Sequence, residues 1–230
     1  MEDTVVIAGV GPGLGESLAR KFAGEGCRVA LVARSHSYLA GLAQGLEQGK
    51  ALAIPADVTQ PDQVRAAFRK VRDSFGPVDV LIYHAGNAGW GRLAGVESGD
   101  FEAAWRVCAW AGFLCAREVV PAMIERRRGA ILFTGATSSV RGRADALAFS
   151  SAKFAVRGLA DALARELWPK GIHVAHVIID GVIGPRGGPA SALQLNPDSI
   201  AQSYWALWQQ EPSAWTFELD VRPHQEAFFE

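Results

Sequence analysis

Near the N-terminus, Gly9-Val10-Gly11-Pro12-Gly13-Leu14-Gly15 sets four glycines in seven residues, directly after an apolar run and directly before an amphipathic one. Glycine tolerates positive φ, and its missing side chain lets backbone N–H groups come close to an anion. The N-terminus of a following helix adds partial positive charge. This is the chemistry of a pyrophosphate cradle, and strand–turn–helix is the context the motif requires. A tight turn that binds nothing is the plainer reading of the same glycines. Other chemistries are poorly served. There is no Gly-x-Ser-x-Gly elbow for an acyl-transferring serine. No His/Cys/Asp cluster has ligand spacing, so no metal is expected.

The elements that must position this turn follow from patterning. Thr4–Ala8, Arg28–Ala33, Ala51–Ile54, Val78–Tyr83, Ala130–Thr134 and His173–Ile179 are short, nearly continuous apolar runs, as strands buried on both faces are. Helical segments are expected between them at Leu14–Glu25, Ser37–Glu47, Pro61–Phe75, Asp100–Arg127 and Leu147–Trp168. Asp57 to Pro61 carries an N-cap candidate and a first-turn proline. Arg126-Arg127-Arg128 before Gly129 reads as a helix C-terminus. A loop from Gly181 to Pro189, a helix started by Asn196-Pro197-Asp198 and a last strand over Ala214–Val221 complete the chain. Repeated βαβ units predict an α/β fold, one doubly wound parallel sheet of about seven strands in a single domain over 1–230.

With those residues in view, the chain resembles the short-chain dehydrogenases/reductases over essentially its whole length. Their signature Thr-Gly-x-x-x-Gly-x-Gly is matched by Gly9, Gly13 and Gly15, with Ala8 for the threonine. Gly11 and Leu14 belong to the same turn and are expected at the cofactor. Asp57-Val58 resembles the family's Asp-Val pair, whose carboxylate holds the adenine amino group. Tyr83-His84-Ala85-Gly86 resembles its Asn-Asn-Ala-Gly, with His84 replacing an asparagine. A carboxylate at the end of the second strand would accept from a ribose 2′-OH and repel a 2′-phosphate. That strand ends Val32-Ala33-Arg34-Ser35-His36 instead, and the Arg34 fork suits a phosphate. NADP(H) is therefore the expected cofactor, with NAD(H) the alternative and a solvated surface arginine the plain reading of Arg34.

The family's hydride chemistry uses a tyrosine, a lysine four residues later, an upstream serine and often an asparagine. The lysine charge lowers the phenol's pKa and the serine holds the substrate oxygen. Lys153 matches the lysine, and Phe149 stands at the tyrosine position in Phe149-Ser150-Ser151-Ala152-Lys153. Ala136 falls at the serine position with Thr137, Ser138 and Ser139 just after, and Cys108 falls at the asparagine position. Pro-Gly becomes Asp180-Gly181, and the nicotinamide-binding threonine becomes Pro185. Gly181 and Ile183 are expected beside the nicotinamide. Lys153 with Ser138, Ser139 or a water would replace the phenol; alternatively Lys153 only binds the nicotinamide ribose. His84 serves as a proton relay or only restores the asparagine's hydrogen bonds near the adenosine. Cys108 is read as a small core residue rather than a nucleophile.

The expected function is an NADP(H)-dependent oxidoreductase with a degenerate site, acting on a carbonyl or alcohol of a small apolar molecule. A non-catalytic dinucleotide-binding sensor or partner subunit of the same fold is the alternative, and elimination or isomerisation a third. Hydrophobic residues make up 49% of 230, enough for a sizeable core. A net charge of −1 with scattered basic residues argues against nucleic acid. Three cysteines without framework spacing fit a reducing cytoplasm. No membrane segment is expected, and the first strand leaves no room for a signal peptide. Tyr204, Trp205, Trp208, Trp215 and Phe217 form a burying seam or a lid over the nicotinamide end. The two long helices, with Trp105 and Trp110, resemble the family's pairing helices, so a homodimer or homotetramer is expected.

Overall fold

The computed structural model describes residues 2–47, 49–86, 89–188 and 193–225. Strand β1 (Thr4–Ala8) leads into α1 (Leu14–Gly24), then β2 (Arg28–Ala33), α2 (His36–Gln44), β3 (Ala51–Pro55), α3 (Pro61–Phe75) and β4 (Val80–Tyr83). A long helical run follows as α4 (Ser98–Trp105), a π-turn (Arg106–Trp110) and α5 (Ala111–Arg126). Then come β5 (Gly129–Thr134), α6 (Leu147–Leu167), β6 (Ile172–Ile179), β7 (Val182–Ile183), β8 (Gln194–Leu195), α7 (Pro197–Trp208) and β9 (Glu218–Val221). The main sheet has the order β3-β2-β1-β4-β5-β6-β9, all pairs parallel. The chain builds outward from β1 to one edge, then from β4 to the other. That reversal opens a crevice at the carboxyl ends of β1 and β4.

Period-two side-chain alternation divides the core. Val6 and Ala8 join Tyr83 and Phe133 under α3, α5 and α6, while Val5 and Ile7 join Leu18, Phe22 and Tyr204 under α1 and α7. Helix α3 starts on Pro61 and buries Val64, Ala67, Phe68 and Val71 at three- and four-residue steps. It stops at Gly76, whose φ of 83° continues no helix. Its N-cap is Gln60; Asp57 turns instead onto its own loop. Helix α7 is capped as expected, the Asn196 side chain accepting from the Asp198 and Ser199 N–H groups.

Three expectations are corrected. The last strand is only Glu218–Val221, because a 3₁₀ turn takes Pro212–Ala214. The predicted 181–189 loop contains β7, which pairs with β8, and its end at Pro189 lies outside the described residues. The arginine cluster does close its helix as expected, since α5 ends at Arg126 and Arg127 is its cap in the left-handed region (φ 49°). The run Ser98–Arg126 is long and apolar enough to cross a bilayer, contrary to expectation, although half of its most apolar window is buried in the fold.

Candidate active site

The four glycines of the first turn divide by role. Gly9 has φ +103°, and a Cβ there would stand 2.3 Å from the Ala85 nitrogen, so it lets the turn after β4 pack against it. A Cβ on Gly15 would meet Val10 Cα at 3.0 Å, which seats α1 tightly on the turn. Gly11 and Gly13 face open space, with nothing within 4 Å of a Cβ built on either. Gly13 is the N-cap of α1, with φ 93° and no side-chain hydrogen bond to the first turn. The Glu16 and Ser17 amides donate back to the Gly11 and Gly13 carbonyls, both at 3.0 Å, which leaves the Leu14 and Gly15 amides as the helix-start donors that fit a pyrophosphate. The Leu14 side chain is buried in the core, leaving only its backbone for a ligand.

Beyond the turn lie two adjoining clefts. One, of about 570 Å³, is lined by Gly9, Arg34, Asp57, Val58, His84 and Ala85. Arg34 is exposed on its rim and makes no ion pair among the described residues. One Asp57 carboxylate oxygen accepts from the Thr59 N–H at 2.9 Å and its hydroxyl at 2.7 Å, which fixes its direction.

The second cleft, of about 890 Å³, shares His84 and Gly86 with the first and reaches Phe149, Lys153, Asp180 and Ile183. Lys153 is 5% exposed, and its Nζ donates to the Thr134 carbonyl at 2.8 Å. It stands 5.6 Å from the Phe149 ring centroid, and a Cβ on Gly86 would lie 3.6 Å from Nζ. Burial pushes this ammonium below the usual lysine range. The His84 Nδ1 lies 3.2 Å from Thr134 Oγ1, which is 2.7 Å from the Tyr204 hydroxyl. Burial, with the Lys153 charge, lowers the His84 pKa to about 4, so the ring is neutral near pH 7. The structure thus turns His84 toward β5 and Lys153, at the junction of the clefts, rather than toward one of them alone.

The remaining candidates separate. Ser138 is buried along the second cleft, whereas Ser139 lies in the core and its Oγ accepts from the Ala136 N–H at 3.0 Å. Cys108 is fully buried in the π-turn, where the neighbouring Val107 carbonyl accepts from the Tyr83 hydroxyl. Gly181 has φ +141° and packs on Pro223, and Ile183 lines the cleft from β7. Asp180 accepts from the Thr137 hydroxyl and pairs with Arg222 at 3.1 Å. Thr134 is the site neighbour that sequence reasoning missed; Tyr204, expected in a seam or a lid, meets it from 70 positions away, and no local pattern links the two. Tyr204 is fully buried and Trp205 packs edge-on to Phe22 at 5.3 Å, so the terminal helix is a seam on α1.

A seven-stranded parallel sheet with a glycine turn at its switch point is a widely shared frame, and sequence likeness decides among its users. Residues 3–185 match the family model of the short chain dehydrogenases. The chain belongs to the short-chain dehydrogenase/reductase family. That family is one of oxidoreductases that bind small-molecule substrates. A ketoacyl reductase, HetN, from Nostoc is 31% identical over 186 residues, 80% of this chain and 64% of the relative, so the match spans just under two thirds of that protein. The crystal structure of a short-chain dehydrogenase from Rhodopseudomonas palustris is 36% identical with a TM-score of 0.85, covering 96% of this chain and 99% of that one. The alcohol dehydrogenase of the archaeon Thermococcus sibiricus, complexed with 5-hydroxy-NADP, is 25% identical with a TM-score of 0.91, each chain covered fully. Short-chain dehydrogenase folds thus superpose on both halves of the sheet described here.

Proposed function

We propose that this chain is an NADP(H)-dependent carbonyl reductase or alcohol dehydrogenase in which the Lys153 ammonium takes the place of the family's phenol. What carries the reading is Lys153 itself: a lysine buried at the inner end of the cleft, one N–H held by Thr134, its head beside a ring that has no proton to give. Cofactor preference rests on Arg34 at the end of β2, with no carboxylate there, and gains support from the NADP analogue bound to the Thermococcus relative. In this reading Gly11, Gly13 and Leu14 offer backbone amides to the pyrophosphate, while Asp57, Val58 and Ala85 line the adenosine side. His84, Gly86, Gly181 and Ile183 surround the nicotinamide side. Bound there, the dinucleotide supplies or accepts a hydride.

The chain's own residues handle the oxygen and its proton. Ser138 donates to the substrate oxygen, since it lines the cleft and Ser139 does not. Lys153 delivers a proton to that oxygen as negative charge builds there, and withdraws it in the reverse direction. A lowered pKa brings the ammonium nearer the operating pH, where proton transfer is most effective. Phe149, Ile183 and Val182 supply apolar walls, so the substrate has an apolar body. We further read the chain as a single cytoplasmic domain, its three thiols unpaired in a reducing compartment.

Titration of NADPH by fluorescence, followed by its oxidation against aldehydes, ketones and quinones, tests the reading. Tight NADPH binding, turnover on a carbonyl, and loss of turnover in Lys153→Met are expected. Arg34→Ala should weaken NADPH about tenfold and leave NADH unaffected. Binding without turnover on any carbonyl would overturn the enzymatic reading in favour of a sensor, and unchanged NADPH affinity in Arg34→Ala would overturn the cofactor assignment.

A further inference from the structure

Four side chains form a ladder from the inner end of the second cleft to its mouth. The Lys153 ammonium stands 5.6 Å from the Phe149 ring, that ring 5.9 Å from the Trp90 ring, and the Arg143 guanidinium 5.6 Å from Trp90. Both rings and both cations line the same cleft, and Arg141 lines it beside Arg143. Trp90 is 59% exposed, a large apolar surface left at the mouth of a cavity. The charges are unbalanced in one direction. Arg141 makes no ion pair among the described residues, and Arg143 has only the exposed Asp145 at 3.7 Å. Asp180, the other carboxylate of the lining, is taken up by Arg222 and Thr137. Planar guanidinium groups prefer oxyanions, which they bind through paired N–H donors.

We propose that the site takes a carbonyl substrate with a flat apolar body and a terminal oxyanion, carboxylate or phosphate, docked by Arg141 and Arg143 with the body against Trp90 and Phe149. The proposal rests on the reductase reading for the end at which the carbonyl sits. The anion would set the substrate's direction: its tail is held at the mouth, and its carbonyl falls at Lys153. Binding energy gained far from the reacting carbon then goes into orientation. A neutral analogue of the same shape would keep the ring contacts and lose the anchor.

The test compares 4′-acetylbiphenyl-4-carboxylate, its methyl ester and 4′-acetylbiphenyl-4-yl phosphate, whose flat body lies between carbonyl and anion, as substrates with NADPH, in the wild type and in Arg141→Ala/Arg143→Ala. An anion preference of at least about tenfold in kcat/KM, abolished in the double variant, is expected. The two acids, compared with each other, identify which oxyanion the pair prefers. Equal use of acid and ester by the wild type, or a preference that survives the double substitution, would overturn the proposal while leaving the reductase reading standing. Calorimetry with unreactive γ-phenylbutyrate and its methyl ester reads the anchor without chemistry. Tighter binding of the acid with no turnover of any carbonyl would sustain the docking site and overturn the reductase. Equal binding of acid and ester would overturn the docking site whatever the turnover.

Discussion

Burial holds the Lys153 ammonium below the ordinary lysine range, and the ring nearest to it, Phe149, presents a face but no proton. Protonated Lys153 is the form that reduces a carbonyl. The rate of reduction should therefore fall as pH rises through its lowered pKa, at a pH below the ordinary lysine value of about 10.4. A kcat profile with no such limb, or one at the ordinary value, would remove Lys153 as the donor. Phe149→Tyr adds a hydroxyl on the same ring, next to the same ammonium. General acid help of this kind is worth about 10²- to 10⁴-fold, so kcat should rise by at least tenfold and the limb should move with the new phenol. An unchanged rate and profile would mean that the proton already travels by a route the ring does not touch. The glycine turn, Lys153 and Phe149 were all legible as residues because spacing within a few positions identifies them. The meeting of Thr134 with His84 and Tyr204 was not, since only the packed fold brings the three together.

The join of β6, β9 and α6 supports the floor of the cleft from behind. On β6, the buried His176 sets its Nδ1 2.9 Å from the Glu218 carboxylate of β9, and Arg157 of α6 grips that carboxylate with two bonds of 2.8 and 2.9 Å. The imidazole fills the space where a side chain on Gly135 would stand, because a Cβ there would be 2.2 Å from Nε2. Gly135→Ala must displace that ring, and overpacking of this kind costs about 1–3 kcal/mol. A lowered melting temperature is expected, and an unshifted one would mean the join is softer than its contacts imply. Acid acts on the same elements. His84, His173 and His176 all have pKa values lowered by burial, so the unfolded chain binds more protons below its ordinary histidine pKa of about 6.5. Stability should fall as pH drops from about 6.5 toward the folded values. Glu218, lowered by Arg157, adds a further loss as pH falls through its own range. Urea midpoints that stay level between pH 7 and 5 would contradict this. The central strands were legible because burial on both faces writes a continuous apolar run. The edge strand β9 was overextended because Trp215, Thr216 and Phe217 read as strand while joining it only as a lead-in. The π-turn at Arg106–Trp110 leaves no mark in an apolar helix pattern.

Across the whole molecule, the sheet is covered on both faces, yet large apolar side chains still face outward. Phe101 and Trp105 of α4, Phe113 of α5 and Phe154 of α6 are each 37–42% exposed, and α4 and α6 pack against each other. Scattered apolar residues on a surface need no explanation, but four aromatics on three neighbouring helices exceed that pattern. Aromatic enrichment marks the buried centres of subunit interfaces. These are also the helices that, by the family resemblance, pair subunits. A homodimer or homotetramer joined through this face is therefore expected, and sedimentation at micromolar concentration should find no monomer in the wild type. Trp105→Glu with Phe154→Glu would set charges in a desolvated seam and should yield a monomer that still binds NADPH, because neither residue lines either cleft. A wild-type monomer would leave the exposed rings unexplained and move the search for their partner to another protein. An assembly that survives both substitutions would place the interface elsewhere. The cofactor clefts lie at the carboxyl ends of the strands and these rings along the flanks of α4 to α6, so assembly and dinucleotide binding can be separated by mutation.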